Sequence, residues 1–470
     1  MKLLPGIRPH CFALFGLLAS VNSGAAPAPR PNVLFIVADD LRCAVGCYGD
    51  AQARTPNIDR LAARGVRFDR AYVQYTVCNP SRTSFLTGLR PERTGIVGNT
   101  TFFRTKLPDV VTLPQLHRQN GWRAESYGKI YHTGGSLDDL HLAWLDRGKS
   151  WDKAEMFQPT PAGRKGEVRN LTGGALKWAN VGAMEGGDED QPDGIIAREV
   201  VAAMERLDAQ PWFIGAGFHR PHDPFLTPKK FWDLYPESSL QLWRDPADAT
   251  PMPRLAMGDG FQDAFAKFTD RERMDFLRAY YAGVSFTDAN VGKLLATMDR
   301  LKLWERTVVI FIGDHGYHLG ERGWWNKHTL YDRACRAPLI ICAPGVKPGV
   351  ARGLVEFVDL YPTIADLVGL EAPRGLAGQS LRPLLLDPSR VGKDAAFTLV
   401  VRGKNIGHSV RTDRWRYIEW NDGADGTELY DHESDAQEMH NVAGDSRHAG
   451  LIAGMKATLK NANLSGASTR

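Results

Sequence analysis

Long apolar runs alternate with stretches of helical spacing along this chain. The first run, PNVLFIVADD (31–40), is almost wholly apolar and ends in two carboxylates. Continuous runs of this kind are typical of strands that are buried on both faces of a parallel sheet. We interpret four later segments in the same way: GWRAESYGKIYH (121–132), PWFIGAGFHRPHDPF (211–225), RTVVIFIGDHG (306–316) and APLIICAP (337–344).

Helical patterns separate these runs. TPNIDRLAARGVRFDRAYV (55–73) has helical spacing around Ile58 and Leu61 and a stop signal at Gly65. A second helical pattern extends from Phe276 to Leu303. Strands that alternate with helices predict an α/β fold, with a large doubly wound, mostly parallel sheet flanked by helices.

Two regions depart from this pattern. Residues 145–195 are rich in Gly, Asp and Lys and lack strong periodicity, which fits either a surface insertion near the mouth of a site or a disordered loop. Beyond residue 390, AAFTLVVRG (395–403) and GHSVRTDRWRYIEW (407–420) predict antiparallel strands with a turn at Gly403. We therefore expect a catalytic domain over 27–390 and a smaller α+β subdomain over 391–470 that carries an antiparallel sheet.

The N-terminus has the pattern of an export signal over residues 1–26. Lys2 and Arg8 supply positive charge, CFALFGLLASV supplies a short apolar core, and NSGAAPAPR supplies small residues for cleavage. A buried N-terminal helix is the alternative interpretation. The apolar run is too short to span a bilayer, so we expect no membrane span and an exported protein, periplasmic or secreted, or lysosomal if eukaryotic.

The charge of the chain argues against nucleic acid as a partner. The net charge is only +4 over 470 residues, and there is no long Lys/Arg tract. Sequons would matter only in a eukaryotic secretory route, and they occur at Asn99, Asn170 and Asn463.

Removal of the export signal leaves an odd number of cysteines: Cys43, Cys47, Cys78, Cys335 and Cys342. Cys43–Cys47 and Cys335–Cys342 are possible short pairings, although buried free thiols are also common. Cys78 has no second cysteine at zinc-binding spacing. A cysteine protease would need His and Asn or Asp partners and would leave the strand-end carboxylates unexplained.

Carboxylates follow two of the predicted strands. In a parallel sheet Asp39, Asp40 and Asp314 would meet at the edge where ligands bind, and their mutual repulsion would need compensation. A hard divalent cation compensates such charge, and calcium is favoured in an exported protein. The alternative is that these residues only cap helices and form turns.

Histidines and lysines follow the same strands. Lys129 and Lys327 stand beside histidines in GKIYH and NKH. Each of these side chains, taken alone, could be solvated or structural. Together with a metal they would form a pocket for a compact anion such as sulfate or phosphate. The histidines in these loops are His132, His219, His222, His315, His318 and His328.

CNPSRTSFLTG (78–88) resembles the sulfatase signature at every fixed position. The resemblance covers nearly the whole mature chain, through NVLFIVADDLR, GCYGD, TPNIDRLAARG, GDHGYHLGERGWWNKHTLYD, VDLYPTIADLVGL and ELYDHESDAQEMHNVA. GKIYH and GFHRPHDPF are closest to the iduronate-2-sulfatase group. The same holds for His315, because many other sulfatases place Asn there.

The resemblance implies that a formylglycine-generating enzyme converts Cys78 to formylglycine, an aldehyde. One hydroxyl of the hydrated aldehyde would attack sulfur, and the second would allow sulfate to leave as the carbonyl re-forms. A serine would lack the second hydroxyl and would stay trapped as its sulfate ester. Covalent catalysis of this kind splits one hard step into two easier ones.

The resemblance also implies roles for the other residues. Asp39, Asp40, Cys78, Asp314 and His315 would hold calcium, with His315 either a ligand or at the edge of the metal sphere. The remaining roles are stabilisation of the aldehyde hydrate by Arg82, sulfate binding by Lys129 and Lys327, deprotonation of the second hydroxyl by His132 and protonation of the leaving alcohol by His219. Pro80 and Ser81 would chiefly serve recognition by the modifying enzyme and would also shape the turn.

These observations lead to one principal expectation and two alternatives. We expect a calcium-dependent exported sulfatase that acts on a sulfated saccharide, with iduronate 2-sulfate as the first candidate. A phosphonate monoester or phosphodiester hydrolase of the same superfamily is the first alternative. A non-catalytic protein that binds sulfated glycans is the second.

Overall fold

A computed structural model describes residues 30–133, 144–207, 209–258 and 260–462. The predicted export signal (1–26) and the sequon at Asn463 lie outside the described residues. Within those four ranges, no helix has the length and apolar character that a membrane crossing requires.

The strands, numbered in chain order, are β1 Asn32–Asp39, β2 Val66–Tyr72, β3 Arg123–Gly128, β4 Lys153–Glu155, β5 Gly166–Asn170, β6 Asn180–Met184, β7 Trp212–Pro221, β8 Phe225–Pro228, β9 Thr307–Gly313, β10 Leu339–Cys342, β11 Gly349–Glu356, β12 Ala396–Arg402, β13 Asn405–Arg411, β14 Trp415–Trp420 and β15 Thr427–Asp431. The helices are α1 Pro56–Ala62, α2 Cys78–Thr87, α3 Pro91–Thr94, α4 Leu113–Gln119, α5 Pro192–Arg206, α6 Lys229–Trp232, α7 Gln262–Phe265, α8 Asp270–Arg300, α9 Asp332–Cys335, α10 Leu360–Leu367, α11 Arg382–Leu386 and α12 Ala449–Asn461.

Eight strands form the main sheet in the order β11-β2-β10-β9-β1-β7-β3-β4. All neighbours are parallel except β10, which runs antiparallel to both β9 and β2. The predicted mostly parallel sheet is therefore confirmed. The sheet is wider than the five predicted strands, because β2, β4 and β11 were missed. β2 mixes half-buried with buried positions, β11 includes an exposed position as well, and β4 has only three residues.

Both faces of the main sheet are buried, as the continuous apolar runs predict. In β1, Leu34 and Ile36 enter one hydrophobic core, and Val33 and Phe35 enter the other. Helices α1, α5 and α8 contribute to the first core, and α2, α4 and α10 to the second. A strand that is buried on both sides has no polar face, and this explains why β1 lacks alternation.

The region 145–195 is an ordered insertion and not a disordered loop. β5 and β6 pair antiparallel, and β6 pairs in parallel with β8 to complete a three-stranded sheet. The sequence did not reveal these strands, because GEVRN and NVGAM are short and largely exposed or glycine-containing.

The C-terminal residues form the predicted antiparallel sheet, with strand order β12-β13-β14-β15. Gly403 adopts the left-handed conformation (φ 59°) in the turn between β12 and β13, as predicted. Helix α12 packs Met455 and Leu459 against this sheet. The sheet is tied to the catalytic region, since the amide of Leu399 donates to the carbonyl oxygen of Gln74 (2.9 Å). The domain boundary at residue 390 stays a prediction.

Candidate active site

The order of the central strands explains why the predicted site residues come together. β9, β1, β7 and β3 are consecutive and parallel, so their carboxyl ends lie along one edge of the sheet. Asp39 ends β1, Lys129 follows β3, His219 lies near the end of β7, and Asp314 follows β9. The sequence-predicted cluster is therefore a consequence of topology.

Cys78 is the first residue of helix α2, and every residue of that helix is buried. This corrects the expectation that Pro80 and Ser81 shape a turn, because both lie in the first helical turn. The hydroxyl of Ser81 donates to the carbonyl oxygen of Asp314 (2.5 Å). The helix ends at Gly88 in the left-handed conformation (φ 68°). A helix N-terminus carries partial positive charge, which favours an anion at Cys78.

Arg82 lies one helical turn after Cys78 and holds two strand ends together. Its Nε is 3.0 Å from Asp314 Oδ2, and its Nη2 is 3.0 Å from Asp39 Oδ1. Its Nη1 also donates to the carbonyl oxygen of Ile130 (3.1 Å). Burial alone would lower the pKa of Arg82, but Asp314 and Asp39 raise it above its ordinary value. Arg82 is therefore a permanent buried cation at the centre of the cluster.

Two lysines complete the positive charge around Cys78. Lys327 Nζ is 3.1 Å from Cys78 Sγ and also contacts Asp40 Oδ1, while Lys129 Nζ contacts Asp39 Oδ2. Burial would raise the pKa of the Cys78 thiol, but the two lysines and hydrogen bonds from His132 and His222 hold it well below its ordinary value. This pocket favours an anion at the position of the sulfur.

His315 lies against Cys78. Its Nε2 is 3.5 Å from Cys78 Sγ and 3.3 Å from Asp40 Oδ1, and its Nδ1 is 2.9 Å from the carbonyl oxygen of Gly316. A carbonyl partner fixes the proton on Nδ1, so that Nε2 offers a lone pair toward the cluster. This geometry is compatible with the predicted metal role of His315, which stays a prediction.

The two histidines that were predicted to transfer protons differ in their surroundings. His132 lies beside Cys78, and burial lowers its pKa while Cys78 opposes that shift. Its Nδ1 has no hydrogen-bond partner among the described residues. The amide of His219 donates to Asp193 Oδ1 (2.8 Å), and its buried Nε2 has no hydrogen-bond partner among the described residues. Burial, followed by Lys129, lowers the pKa of His219 to about 3, below the near-neutral value expected of a proton donor. Both catalytic roles stay predictions.

His222 belongs to the cluster, although the sequence analysis gave it no specific role. Its Nε2 lies 3.8 Å from Asp40 Oδ2, and its Nδ1 is 2.7 Å from the carbonyl oxygen of Asp223. It also hydrogen-bonds with Cys78. The sequence contained a clue that His222 joins the site: in HRPH (219–222) it follows His219 by three residues and lies just beyond a buried strand.

The strand-end carboxylates fit a bound cation. Two groups have ligand atoms that lie within 4.8 Å of one another: Asp39, Asp40, Cys78 and His222, and then Cys78, Asp314 and His315. Asp40 Oδ2 is buried and accepts no hydrogen bond from the described residues. Because an unpartnered buried carboxylate oxygen is costly, and carboxylates are the ligands of hard cations, the donor set fits a metal ion.

A pocket of about 370 Å³ opens beside this cluster. His222 and Lys327, which both contact Cys78, are part of its wall. Asn99 is also a wall residue, and its Oδ1 accepts a hydrogen bond from the amide of Asn79 (3.0 Å). The lining residues are Val77, Val97, Gly98, Asn99, Trp178, His222, Asp223, Gly258, Phe261, Trp324, Asn326, Lys327 and His328. Trp178 confirms that the insertion reaches the mouth of the site.

The thiols of all five described cysteines are free, so neither of the two short pairings forms. Cys335 and Cys342 are buried, and burial raises the pKa of each thiol to about 12. Cys78 is the one described cysteine whose pKa is lowered. Cys78 therefore differs from the other four described cysteines in its electrostatic surroundings.

Comparisons with known proteins agree with this arrangement. The sulfatase family profile matches residues 31–370, and the profile of the C-terminal region of N-sulphoglucosamine sulphohydrolase matches residues 320–465. The chain belongs to the sulfatase family and is a sulfuric ester hydrolase. It is 31% identical to iduronate 2-sulfatase of Mus musculus over 532 residues, with coverage of 93% of this chain and 95% of that protein. It is 32% identical to a sulfatase of Formosa agariphila over 452 residues, with coverage of 92% and 87%.

Solved structures show the same fold. Phosphonate monoester hydrolase of Silicibacter pomeroyi superposes with a TM-score of 0.75 at 24% identity, covering 92% of this chain and 94% of that one. A protein in complex with its substrate D-glucosamine-2-N,6-O-disulfate superposes with a TM-score of 0.73 at 21% identity, covering 93% and 98%. At these identities the likeness establishes the architecture.

Proposed function

We propose that this protein is an exported, calcium-dependent sulfatase that removes sulfate from a sugar by means of a formylglycine made from Cys78. The placement of Cys78 carries the proposal: the residue begins a buried helix, contacts Lys327, His315 and His132, and lies beside the pocket. A thiol that forms no disulfide and is surrounded by basic side chains is best explained as the precursor of the nucleophile.

The hydrated aldehyde supplies a nucleophilic hydroxyl together with a second hydroxyl through which the product sulfate can be expelled. Side chains of the site supply the proton transfer and the charge balance. His132 is placed to accept a proton at the position of Cys78 Sγ, because it lies beside that side chain and each shifts the pKa of the other. Arg82 holds Asp39 and Asp314 in place and keeps the buried charges of the site balanced.

A sulfate ester develops negative charge on its oxygens, and cations at the site stabilise that charge. Lys327 lies between β9 and α9 and contacts Cys78 Sγ, and Lys129 follows β3 and contacts Asp39. Both ammonium groups are therefore placed to bind sulfate oxygens. Asp39, Asp40, Asp314 and His315 would hold the calcium ion, which would polarise the same oxygens. His219 is the candidate proton donor to the leaving alcohol, and the negative charge of the bound sulfate ester would have to raise its lowered pKa for it to carry that proton.

Burial of the whole of α2 has a consequence for maturation. A formylglycine-generating enzyme needs the segment 78–88 in an accessible conformation, and in the folded chain that segment is inside the molecule. Conversion therefore precedes folding, which is compatible with export of the chain before it folds.

The relatives support a sugar as the carrier of the sulfate. Iduronate 2-sulfatases of mouse and human are 31% and 33% identical to this chain, and N-acetylglucosamine-6-O-sulfatase of Bacteroides thetaiotaomicron is 24% identical. Iduronate 2-sulfate is accordingly the first candidate substrate, and other sulfated sugars of glycosaminoglycans or related glycans follow. A pocket of about 370 Å³ has room for a single pyranose ring.

The test is release of free sulfate from a panel of defined sulfated saccharides by protein co-expressed with a formylglycine-generating enzyme. Conversion of Cys78 is measured by peptide mass spectrometry on the same preparation. We expect release from at least one sugar sulfate and a lower kcat/KM on aryl phosphodiesters. Preference for phosphodiesters, or binding of glycans without turnover by fully converted protein, would contradict the proposal.

A further inference from the structure

The pocket beside Cys78 has an aromatic wall on one side. Trp178 comes from the insertion, Phe261 precedes α7, and Trp324 follows β9. The ring centroids of Trp178 and Phe261 are 5.6 Å apart, and those of Phe261 and Trp324 are 6.3 Å apart. Contiguous rings at the mouth of a polar pocket offer a surface for the apolar face of a pyranose.

The other side of the pocket carries groups that recognise hydroxyls. Asn99, Asn326 and His328 line it together with Asp223. The side chain of Asp223 is 23% exposed, and its Oδ2 is 3.5 Å from His222 Nδ1. A partly exposed carboxylate in a sugar pocket accepts hydrogen bonds from hydroxyl or amino groups, and it opposes a second carboxylate.

The pocket provides no spare lysine or arginine for such a second carboxylate. Among its described lining residues, Lys327 is the one Lys or Arg, and it already contacts Asp40 and Cys78. Arg402 of β12 is not among the lining residues, and it donates to the carbonyl oxygens of Ala256 (3.2 Å) and His328. His222 is a further basic residue of the wall, but its ring nitrogens already lie 3.8 Å from Asp40 Oδ2 and 3.5 Å from Asp223 Oδ2. Lys327 and His222 are thus both engaged with carboxylates of the protein.

We infer that this pocket selects a sulfated pyranose that carries hydroxyl, acetamido or amino groups but no carboxylate, and that Asp223 enforces this preference. The inference rests on the proposed sugar sulfatase and narrows its substrate class away from uronic acids, so that an uncharged sulfated pyranose replaces iduronate 2-sulfate as the first candidate. The partly exposed Trp178 and Phe261 bind the ring, with the buried Trp324 packed behind Phe261, and Asp223 accepts from the hydroxyl or amino group that replaces the carboxylate.

Matched pairs of substrates test this inference. Each pair consists of methyl pyranosides sulfated at the same position (2, 3 or 4) that differ only at C6, where one has a hydroxymethyl group and the other a carboxylate. The full chain with verified conversion is assayed at constant pH and ionic strength for kcat/KM by sulfate release. An activated aryl sulfate reports turnover that does not depend on sugar recognition.

We expect the wild-type enzyme to prefer the uncharged member, and Asp223→Asn to shift the ratio of kcat/KM toward the carboxylate member by about tenfold. Asp233→Asn is the matched control, because it removes the same charge at a side chain that is 50% exposed and pairs with Lys229. It should leave the ratio unchanged. Thermal unfolding and aryl sulfate turnover identify a variant that merely fails to fold.

The outcomes separate the inference from the proposed function. Preference of the wild-type enzyme for the carboxylate member, or an unchanged ratio in folded Asp223→Asn, overturns the inference and leaves the sugar sulfatase standing. Absence of sulfate release from every sugar, despite full conversion and turnover of aryl sulfate, overturns the proposed function and the inference with it.

Discussion

Two buried clusters of charge in this molecule have side chains close enough to hold a metal, yet they differ in what they can do. One comprises Asp39, Asp40, Cys78 and His222 at the edge of the main sheet. The other comprises Asp332, His432 and Glu438, where α9 meets the C-terminal sheet. Both are rich in carboxylates, so composition alone does not distinguish a site from a structural network.

The second cluster already contains its own cation. Arg416 Nη2 is 2.9 Å from Asp332 Oδ1, and Arg416 Nε contacts Glu438. His432 Nε2 is 2.7 Å from Glu438 Oε1, and the hydroxyl of Tyr72 donates to Asp332 (2.9 Å). None of the buried atoms of this cluster lacks a partner among the described residues. A fully satisfied network of this kind fixes packing.

The first cluster differs in two respects. Asp40 Oδ2 is buried without a hydrogen bond from the described residues, and Lys327 and His222 line a pocket. Both clusters contain a buried guanidinium, Arg82 in the first and Arg416 in the second. The functional cluster is therefore distinguished by its unpartnered carboxylate oxygen and its adjoining cavity. The predictions below test this distinction.

The largest effect is expected at Cys78. Cys78→Ala removes the nucleophile precursor, so sulfate release should fall by about 10⁴-fold or more. Cys335→Ala serves as the matched control, because Cys335 is also a buried free thiol but lies outside the site. Sulfate assays on both folded variants make the measurement, and substantial turnover by Cys78→Ala would refute a covalent role.

Substitution of Asp40 should separate the two clusters by metal content. Asp40→Asn weakens the oxygen donor set, and we expect loss of bound calcium together with about a 10³-fold loss of kcat/KM. Asp332→Asn makes the same change in the structural cluster and should retain calcium. Elemental analysis of dialysed protein makes the measurement. Equal calcium content in both variants would show that the two clusters do not differ in metal binding.

Substitution of Arg416 should lower the stability of the fold and leave the calcium content unchanged. Arg416→Met leaves Asp332 and Glu438 as buried carboxylates without their guanidinium, and should lower the free energy of unfolding by about 3–5 kcal/mol. Arg414→Met is the control on the same strand edge, because Arg414 is exposed and makes its ion pairs with Asp431 and Glu433 in solvent. Chemical denaturation compares the two. Loss of calcium rather than stability in Arg416→Met would contradict the assignment.

The smallest predicted effect is a loss of folding stability at acidic pH. Burial would raise the pKa of Glu438, but Arg416 and His432 lower it to about 2. A carboxyl with a lowered pKa stabilises the folded state above its unfolded pKa, and that contribution is lost as pH falls through about 4.5 toward 2. Between pH 6.5 and pH 4 the loss should be about 1 kcal/mol.

Glu438→Gln removes that titration, so its free energy of unfolding should change less than that of the wild-type protein over the same interval. Urea denaturation at the two pH values gives the difference. An equal or steeper loss in Glu438→Gln would show that Glu438 does not titrate with a lowered pKa.

Much of the site could be predicted from the sequence because topology concentrates it. Asp39, Asp40 and Asp314 directly follow buried strands, so the parallel sheet brings them together whatever the loops do. Helix α2 was missed, because a short segment buried on all sides has no apolar face to reveal helical spacing. His222 was grouped with the other loop histidines without a specific role, and Trp178 was not singled out, because loop conformation, and not periodicity, brings them to the pocket.

Two features of the main sheet could not be predicted from the sequence for a similar reason. β11 alternates exposed and buried residues irregularly at the edge of the sheet, and β10 reverses direction between parallel neighbours. These features arise from pairing between strands that are distant in sequence, so the local pattern of apolar and polar residues does not predict them.

Parallel measurement of Cys78 conversion and of sulfate release on one series of preparations tests the account most directly. Co-expression with graded amounts of a formylglycine-generating enzyme yields protein with different converted fractions at Cys78. The account predicts that kcat, per mole of folded protein, rises in proportion to the aldehyde fraction and vanishes where the thiol is intact. Full sulfatase activity in protein whose Cys78 remains a thiol would contradict it.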